Sequence, residues 1–225
     1  FHVTGNRCER GAGRKKEKNV LPNLMQYKYE RFFDYEALPE LQAERGTVGL
    51  PRTMNMFENY PFWHAFFTSL RYRAILSPIS TKKLYESGMD TIPSESICYP
   101  AKMAHGHVQS LISQGVDFIF YPAVVYEKKE DEAAHNHFNC PVVASYPEVI
   151  RNNMDGLKEG GIPMVSPFLT FDDISALTKG LARTFTHIPK EEISAAVQAG
   201  LVEADRAKND VRTKGEETLA FLTAT

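Results

Sequence analysis

From residue 46 onward the chain alternates short apolar runs with amphipathic stretches, and this alternation constrains the fold more than any other feature. The apolar runs predict β-strands at residues 47–50, 73–76, 116–121, 142–144 and 163–165. The amphipathic stretches predict helices at residues 60–70, 80–87, 100–114, 147–152 and 171–185. Repeated β-α-β order predicts an α/β fold, a Rossmann-like, doubly wound and mostly parallel sheet.

The two ends differ in composition from this body, which we assign to residues 46–188. Residues 1–45 form a leader and a helix: residues 1–19 are polar and glycine-rich, and a helix is expected at residues 24–41. Residues 189–225 are rich in Ala, Glu, Lys and Leu and predict a long C-terminal helix leading to a further domain. The chain begins at Phe1 rather than Met, so we expect a piece of a longer protein.

Composition excludes several classes of protein. With 43% hydrophobic and 24% charged residues, the chain can bury a full core. A net charge of −2 gives no attraction to nucleic acid, and no apolar run approaches the roughly 18 residues needed to cross a membrane. We therefore expect a cytoplasmic protein. No glycine-rich nucleotide motif or serine-hydrolase motif occurs, so the residues leave open whether the chain is an enzyme.

Three widely spaced cysteines, Cys8, Cys98 and Cys140, are the main candidate ligands. An odd number without a Cys-x-x-Cys pair fits neither a closed disulfide framework nor a zinc ribbon. Three thiolates brought together by folding would suit an iron–sulfur cluster with one iron left open. The alternative is three separate thiols that pack as small hydrophobic side chains.

The predicted elements place the last two cysteines differently. Cys98 comes just before Pro100, at an expected helix N-terminus, where free N–H groups and the helix dipole favour a thiolate. Cys140 precedes the strand expected at residues 142–144. It is therefore expected at the opposite end of the sheet, unless the loop of residues 126–139 folds back across the crevice. A proline follows both cysteines closely, as it does some cluster ligands.

Two histidine pairs form a second candidate set. His105 and His107 lie in the helix expected at residues 100–114, where alternate side chains point in different directions. His135 and His137 lie in the loop that leads to Cys140. All four are further candidate metal ligands, and a zinc site built from Cys98, Cys140, His135 and His137 competes with a cluster. Packing or surface roles are the alternative, as they are for Glu95 and Glu127, the two candidate bases.

Several separated motifs together resemble a known family. They are Gly5-Asn6-Arg7-Cys8-Glu9-Arg10-Gly11, Gly49-Leu50-Pro51-Arg52, Glu58-Asn59-Tyr60-Pro61-Phe62-Trp63, Pro93-Ser94-Glu95-Ser96-Ile97-Cys98-Tyr99-Pro100-Ala101-Lys102, His105-Gly106-His107, and Asn139-Cys140-Pro141 with Ser145-Tyr146-Pro147-Glu148. In this order, running to about Asn152, the chain resembles the uncharacterised domain of large CoA-substrate-specific enzyme activases. These are relatives of the activators of 2-hydroxyacyl-CoA dehydratases.

The resemblance implies a role in electron transfer. In such proteins this region follows actin-like ATPase domains of the same chain, and it looks like dehydratase subunits that hold a [4Fe–4S] cluster by three cysteines. The resemblance to these subunits implies that Cys8, Cys98 and Cys140 are the cluster ligands. It also implies an acyl-CoA dehydratase-like protein as the partner. A metal-free structural or protein-interaction domain and a zinc-binding module remain alternatives. An acyl-CoA enzyme would need cations such as Lys102 or Arg52 for the nucleotide phosphates.

Overall fold

A parallel sheet forms the centre of the protein in a computed structural model that describes residues 22–158 and 161–224. Its strands are β1 (Thr47–Leu50), β2 (Arg73–Leu76), β3 (Phe118–Phe120), β4 (Ala123–Val124), β5 (Met164–Val165) and β6 (Phe168–Leu169). Four of them form the main sheet in the order β2-β1-β3-β5, with every neighbouring pair parallel. β4 and β6 form a small second parallel sheet. The predicted α/β fold is thus confirmed.

Eight α-helices surround the strands in the described residues, and two short 3₁₀ turns lie at Glu40–Gln42 and Met89–Thr91. The helices are α1 (Leu24–Phe33), α2 (Met56–Ser69), α3 (Lys82–Gly88), α4 (Tyr99–Gln114), α5 (Pro141–Asn153), α6 (Asp155–Lys158), α7 (Ile174–Thr184) and α8 (Lys190–Ala224). None of them combines the length and the apolar character that a membrane span needs. Gly115 ends α4 in the left-handed conformation at φ 69°.

Two predicted elements differ from the structure. The strand expected at residues 142–144 is wrong, because these residues form the first turn of α5. A run of three apolar residues carries no period of its own, and Pro141 at the first helical position favours a helix. The helix expected at residues 24–41 ends at Phe33, and the 3₁₀ turn follows after Pro39. The small β4–β6 sheet was not predicted.

One core lies between α2 and the main sheet. α2 buries aromatic residues on more than one side, and Trp63, Phe66 and Phe67 are fully inaccessible to solvent. α8 packs along the outer side of α2, with Ile193, Val197 and other apolar residues in the same core. The long C-terminal helix therefore completes this core, in addition to any link it makes to another part of a longer chain.

The second core covers the opposite face of the sheet. Ala101, Ala104 and Val108 of α4 and Tyr146 and Ile150 of α5 lie together in it. Successive side chains of β3 pack into different cores. Phe118 and Phe120 lie in the first core, and Ile119 between them lies in the second. Helices thus cover both faces, as a doubly wound sheet requires.

α3 crosses α4 at a contact between two glycines. A Cβ atom added to Gly106 would lie 2.0 Å from the carbonyl oxygen of Leu84, and one added to Gly88 would lie 2.3 Å from the amide nitrogen of Gly106. Both distances are shorter than atoms tolerate, and the blocking atoms belong to backbone. Gly106 therefore serves close helix packing between its two histidine neighbours.

We expect Gly106→Ala to destabilise the protein by about 1–3 kcal/mol, because the two helices must move apart to admit the methyl group. Gly215→Ala on α8 is the matched control, since nothing lies within 4 Å of a Cβ added there. It should be neutral or stabilising by up to about 1 kcal/mol. Urea unfolding of both variants measures the difference, and equal stabilities would contradict the packing argument.

Candidate functional site

Cys98 is the residue that caps the N-terminus of α4, and its side chain is exposed. The Thr53 hydroxyl, three residues beyond β1, donates to the carbonyl oxygen of Pro100 at 3.2 Å. This contact ties the start of α4 to the edge of the sheet at which the parallel strands end, called the carboxyl edge below. Cys98 therefore lies where open α/β sheets build their binding sites, as the sequence predicts.

Cys140 caps the N-terminus of α5 and is also exposed. The preceding Asn139 donates its backbone N–H to the carbonyl of Val125 at 2.8 Å and its side-chain N–H to that of Val124 at 3.1 Å. Val124 ends β4, so these bonds hold Cys140 beyond the carboxyl end of the strands. The expected position at the opposite end of the sheet is wrong, because Cys140 begins a helix rather than a strand.

The two cysteines share the same backbone conformation, with φ −62° and ψ 152° at Cys98 and φ −63° and ψ 154° at Cys140. Neither side chain forms a capping hydrogen bond, so both sulfur atoms are free of a partner within their helices. α4 and α5 are neighbours in the second core, and the structure thus brings two thiols to adjacent helix N-termini. Each helix N-terminus also has first-turn backbone N–H groups without a partner in the helix, which can donate to an anionic ligand.

Two tyrosines near Cys98 were missed by the sequence reasoning. Tyr121 directly follows β3 at the carboxyl edge, is 1% exposed, and its hydroxyl has no hydrogen-bond partner in the described part of the chain. Burial, with a smaller contribution from the nearby Cys98 side chain, raises the pKa of Tyr146 to about 12. Burial likewise raises the pKa of Tyr121, with Tyr146 and Cys98 adding to the shift. Neither tyrosine stands out in the sequence, because each resembles an ordinary core aromatic residue.

His105 and His107 are fully buried and bind different hydroxyl groups. The Thr91 hydroxyl donates to the Gly88 carbonyl, which leaves its oxygen to accept from His105 Nδ1 at 2.7 Å. His105 Nε2 then accepts from the Tyr146 hydroxyl at 2.9 Å. Hydroxyl groups therefore occupy both ring nitrogens of His105.

His107 is held in a similar way. Its Nδ1 lies 2.8 Å from the Ser77 hydroxyl and its Nε2 lies 3.0 Å from the Ser80 hydroxyl. Burial lowers the pKa of His107 to about 4, with a contribution from the Arg52 charge, and burial lowers the pKa of His105 to about 4 as well. Both imidazoles are consequently neutral at pH 7, and both stabilise the packing of α4.

The second histidine pair is separated from the first. His135 is exposed, and His137 is half-buried with its Nε2 at 3.6 Å from a carboxylate oxygen of Asp172.

Of the two candidate bases, Glu95 is exposed and its backbone carbonyl accepts a hydrogen bond from Lys102. Glu127 lies in a different setting, half-buried and bonded to Asn59 and Asn139.

Arg52 and Lys102, the candidate phosphate ligands, are engaged within the protein. The Arg52 guanidinium donates to the Tyr29 hydroxyl at 2.6 Å and to the Ser77 carbonyl at 3.2 Å, and it stacks on Phe33 at 4.9 Å. Lys102 Nζ donates to the Glu95 carbonyl at 2.7 Å. Arg52 is thus directed toward α1, and Lys102 toward the segment before α4.

Within residues 22–158 and 161–224, no group of three or more His, Cys, Asp and Glu side chains is close enough to hold a metal ion. Cys8, the third expected ligand, lies outside the described residues. A site built from all three cysteines therefore stays a prediction.

The comparison with family models matches residues 47–225 to the CoA enzyme activase uncharacterised domain. The chain belongs to this family. The match covers Cys98 and Cys140 as well as α8, whereas Cys8 precedes it. Comparisons with curated proteins and with solved structures gave no match.

The two buried histidines make the stability of this activase-family domain sensitive to acid. Below pH 6.5 the unfolded chain binds protons on these imidazoles that the folded chain, with pKa values of about 4, does not bind. The free energy of unfolding should therefore fall as the pH drops from 6.5 to about 4. Each imidazole contributes at most about 1.4 kcal/mol per pH unit.

His107→Gln should flatten this dependence, which denaturant unfolding between pH 7 and about 4.5 measures. His135→Gln is the matched control, because His135 is exposed and gains no partner on folding in the described structure. Parallel curves for His107→Gln and the parent protein would show that His107 does not carry the effect.

Proposed function

We propose that this domain binds a [4Fe–4S] cluster through Cys8, Cys98 and Cys140 and relays electrons in 2-hydroxyacyl-CoA dehydratase-type radical chemistry. The observation that carries the proposal is the matched position of Cys98 and Cys140, two exposed residues at the N-cap positions of adjacent helices at the carboxyl edge. Membership of the CoA enzyme activase family supports the same reading. Cys8 would complete a three-cysteine set that leaves one iron open.

The donor set fits such a cluster in its chemistry. Iron–sulfur clusters are held by thiolates. The N-termini of α4 and α5 stabilise negative charge at the two sulfur atoms, and neither sulfur is used as a cap within its helix. The chemistry that a bound [4Fe–4S] cluster supplies is one-electron transfer at a potential set by net charge, hydrogen bonding and exposure.

The surrounding residues would tune that site. The Tyr121 hydroxyl is buried near Cys98 without a partner in the described residues, so it retains a proton to donate to a sulfur atom. Tyr146 directs its own proton to His105 Nε2, and His105 thereby fixes the orientation of that hydroxyl beside Cys98. A hydrogen bond to a cluster sulfur raises the reduction potential, so Tyr121 is expected to oppose the effect of the thiolate charge.

Two partners follow from the proposal. Actin-like ATPase domains of the same parent chain would drive the electron transfer, and an acyl-CoA dehydratase-like protein would receive the electron. The domain would then be an accessory module rather than a complete catalyst.

Anaerobic reconstitution with iron and sulfide, followed by an iron count and an absorption spectrum, tests the proposal. We expect about four irons per chain and a broad brown absorption. Cys98→Ser and Cys140→Ser should each abolish iron retention, because each removes a thiolate at a helix N-terminus. Cys8→Ser should weaken it.

Ser94→Ala is the control, since it alters an exposed side chain in the segment before Cys98 without removing a thiol. Iron content unchanged in all three cysteine variants would refute the cluster. A colourless protein that retains about one zinc ion per chain would instead support a zinc module.

A further inference from the structure

A cavity of about 860 Å³ lies apart from the two cysteines, and its volume is typical of small-molecule sites. Residues from the first turns of α2, the loop of residues 126–139, the start of α7 and the middle of α8 line it. Ion pairs hold the loop against α8: Lys128 to Asp205 at 2.8 Å, and Glu130 to Lys208. The loop thus forms one wall of the cavity.

Glu127 is the half-buried carboxylate in this cavity. Its Oε1 accepts hydrogen bonds from Asn139 Nδ2 at 2.7 Å and Asn59 Nδ2 at 3.1 Å, and its Oε2 accepts from Asn59 at 3.0 Å. No cation pairs with it among the described residues. Neutral carboxamides orient the charge of a carboxylate without cancelling it, and a half-buried charge without a counter-ion is costly.

The cavity lining as a whole carries a negative formal charge, like Glu127 itself. Six carboxylates and three lysines line the cavity, which gives a formal charge of −3 with His137 neutral. The three lysines, Lys128, Lys129 and Lys208, each already pair with a carboxylate. A cation is therefore attracted, whereas the phosphates of a nucleotide would be repelled.

Apolar groups supply the rest of the surface. Phe138, Ile174 and Val202 line the cavity with exposed side chains, and the buried rings of Phe62 and Phe171, which meet edge to face with centroids 5.0 Å apart, lie behind them. Aromatic side chains attract organic cations as well as apolar bodies. Asn55, which caps α2, belongs to the same lining, is 7% exposed, and has no hydrogen-bond partner for its carboxamide in the described residues.

We propose that this cavity binds a small organic cation, an ammonium or guanidinium group on an apolar body, with Glu127 as its counter-ion. Asn59 and Asn139 position the carboxylate, and the aromatic wall packs against the apolar body. Neither Cys98 nor Cys140 lines this site, although Asn139 beside Cys140 does, and the proposal does not rest on the cluster.

Calorimetric titration of the full chain with benzylammonium tests the proposal, with benzyl alcohol as the neutral probe of the same shape. We expect benzylammonium to bind with a Kd on the order of 1 mM and benzyl alcohol to bind at least about tenfold more weakly. Glu127→Gln should weaken benzylammonium binding about tenfold, because it removes the charge and keeps the shape. Glu216→Gln, which removes an exposed charge from α8 outside the lining, should leave binding unchanged.

Ala204→Phe provides a second test that keeps the carboxylate and its partners in place. Ala204 lines the cavity from α8, so the added ring should fill the site and abolish binding of the probe. Equal affinity for the two probes, unchanged binding by both Glu127→Gln and Ala204→Phe, or no benzylammonium binding by the parent protein at about 10 mM would overturn the proposal.

Discussion

The burial of α2 between the main sheet and α8 is the contact on which the rest of the structure depends. Trp63 is inaccessible to solvent, and its ring lies 4.8 Å from that of Phe120 in β3. On the other side, a Cβ atom added to Gly200 of α8 would lie 2.7 Å from the Phe62 ring. Close approach on both sides fixes α2 relative to the strands and to α8 alike.

The fixed helix in turn positions both candidate sites. At its N-terminal end, Asn59 holds Glu127, and Glu127 holds Asn139 next to Cys140. Just before the helix, Met54 adopts φ 52°, a left-handed conformation that costs a residue with a side chain about 1–2 kcal/mol. The turn carries the chain from Thr53, which contacts the start of α4, into α2 and the lining of the cavity. The segment before α2 therefore contacts the helix that begins at Cys98, and α2 itself holds Glu127 and, through it, Asn139 beside Cys140.

The His105-Gly106-His107 motif shows how a sequence pattern can have a packing cause. Gly106 permits α3 and α4 to meet, and each histidine uses both ring nitrogens on nearby hydroxyls. Two neutral, buried imidazoles lower the stability of the fold in acid, and at neutral pH their hydrogen bonds hold α4 against its neighbours. Cys98 lies at the start of the same helix, and the Tyr146 hydroxyl bond to His105 connects α4 to the neighbouring helix α5.

The sequence by itself determined the strand–helix alternation, the parallel sheet, the family and the position of Cys98, because these depend on local apolar periods, on Pro and Gly signals, and on motif order. Only the tertiary structure decided the position of Cys140: Pro141 favours a helix start, but the three apolar residues that follow carry no period of their own, and packing of α5 beside α4 in the second core fixes where the helix lies. The same holds for Tyr121 beside Cys98 and for Glu127 without a counter-ion. Burial and missing partners arise from contacts between residues far apart in the chain, which no local pattern records.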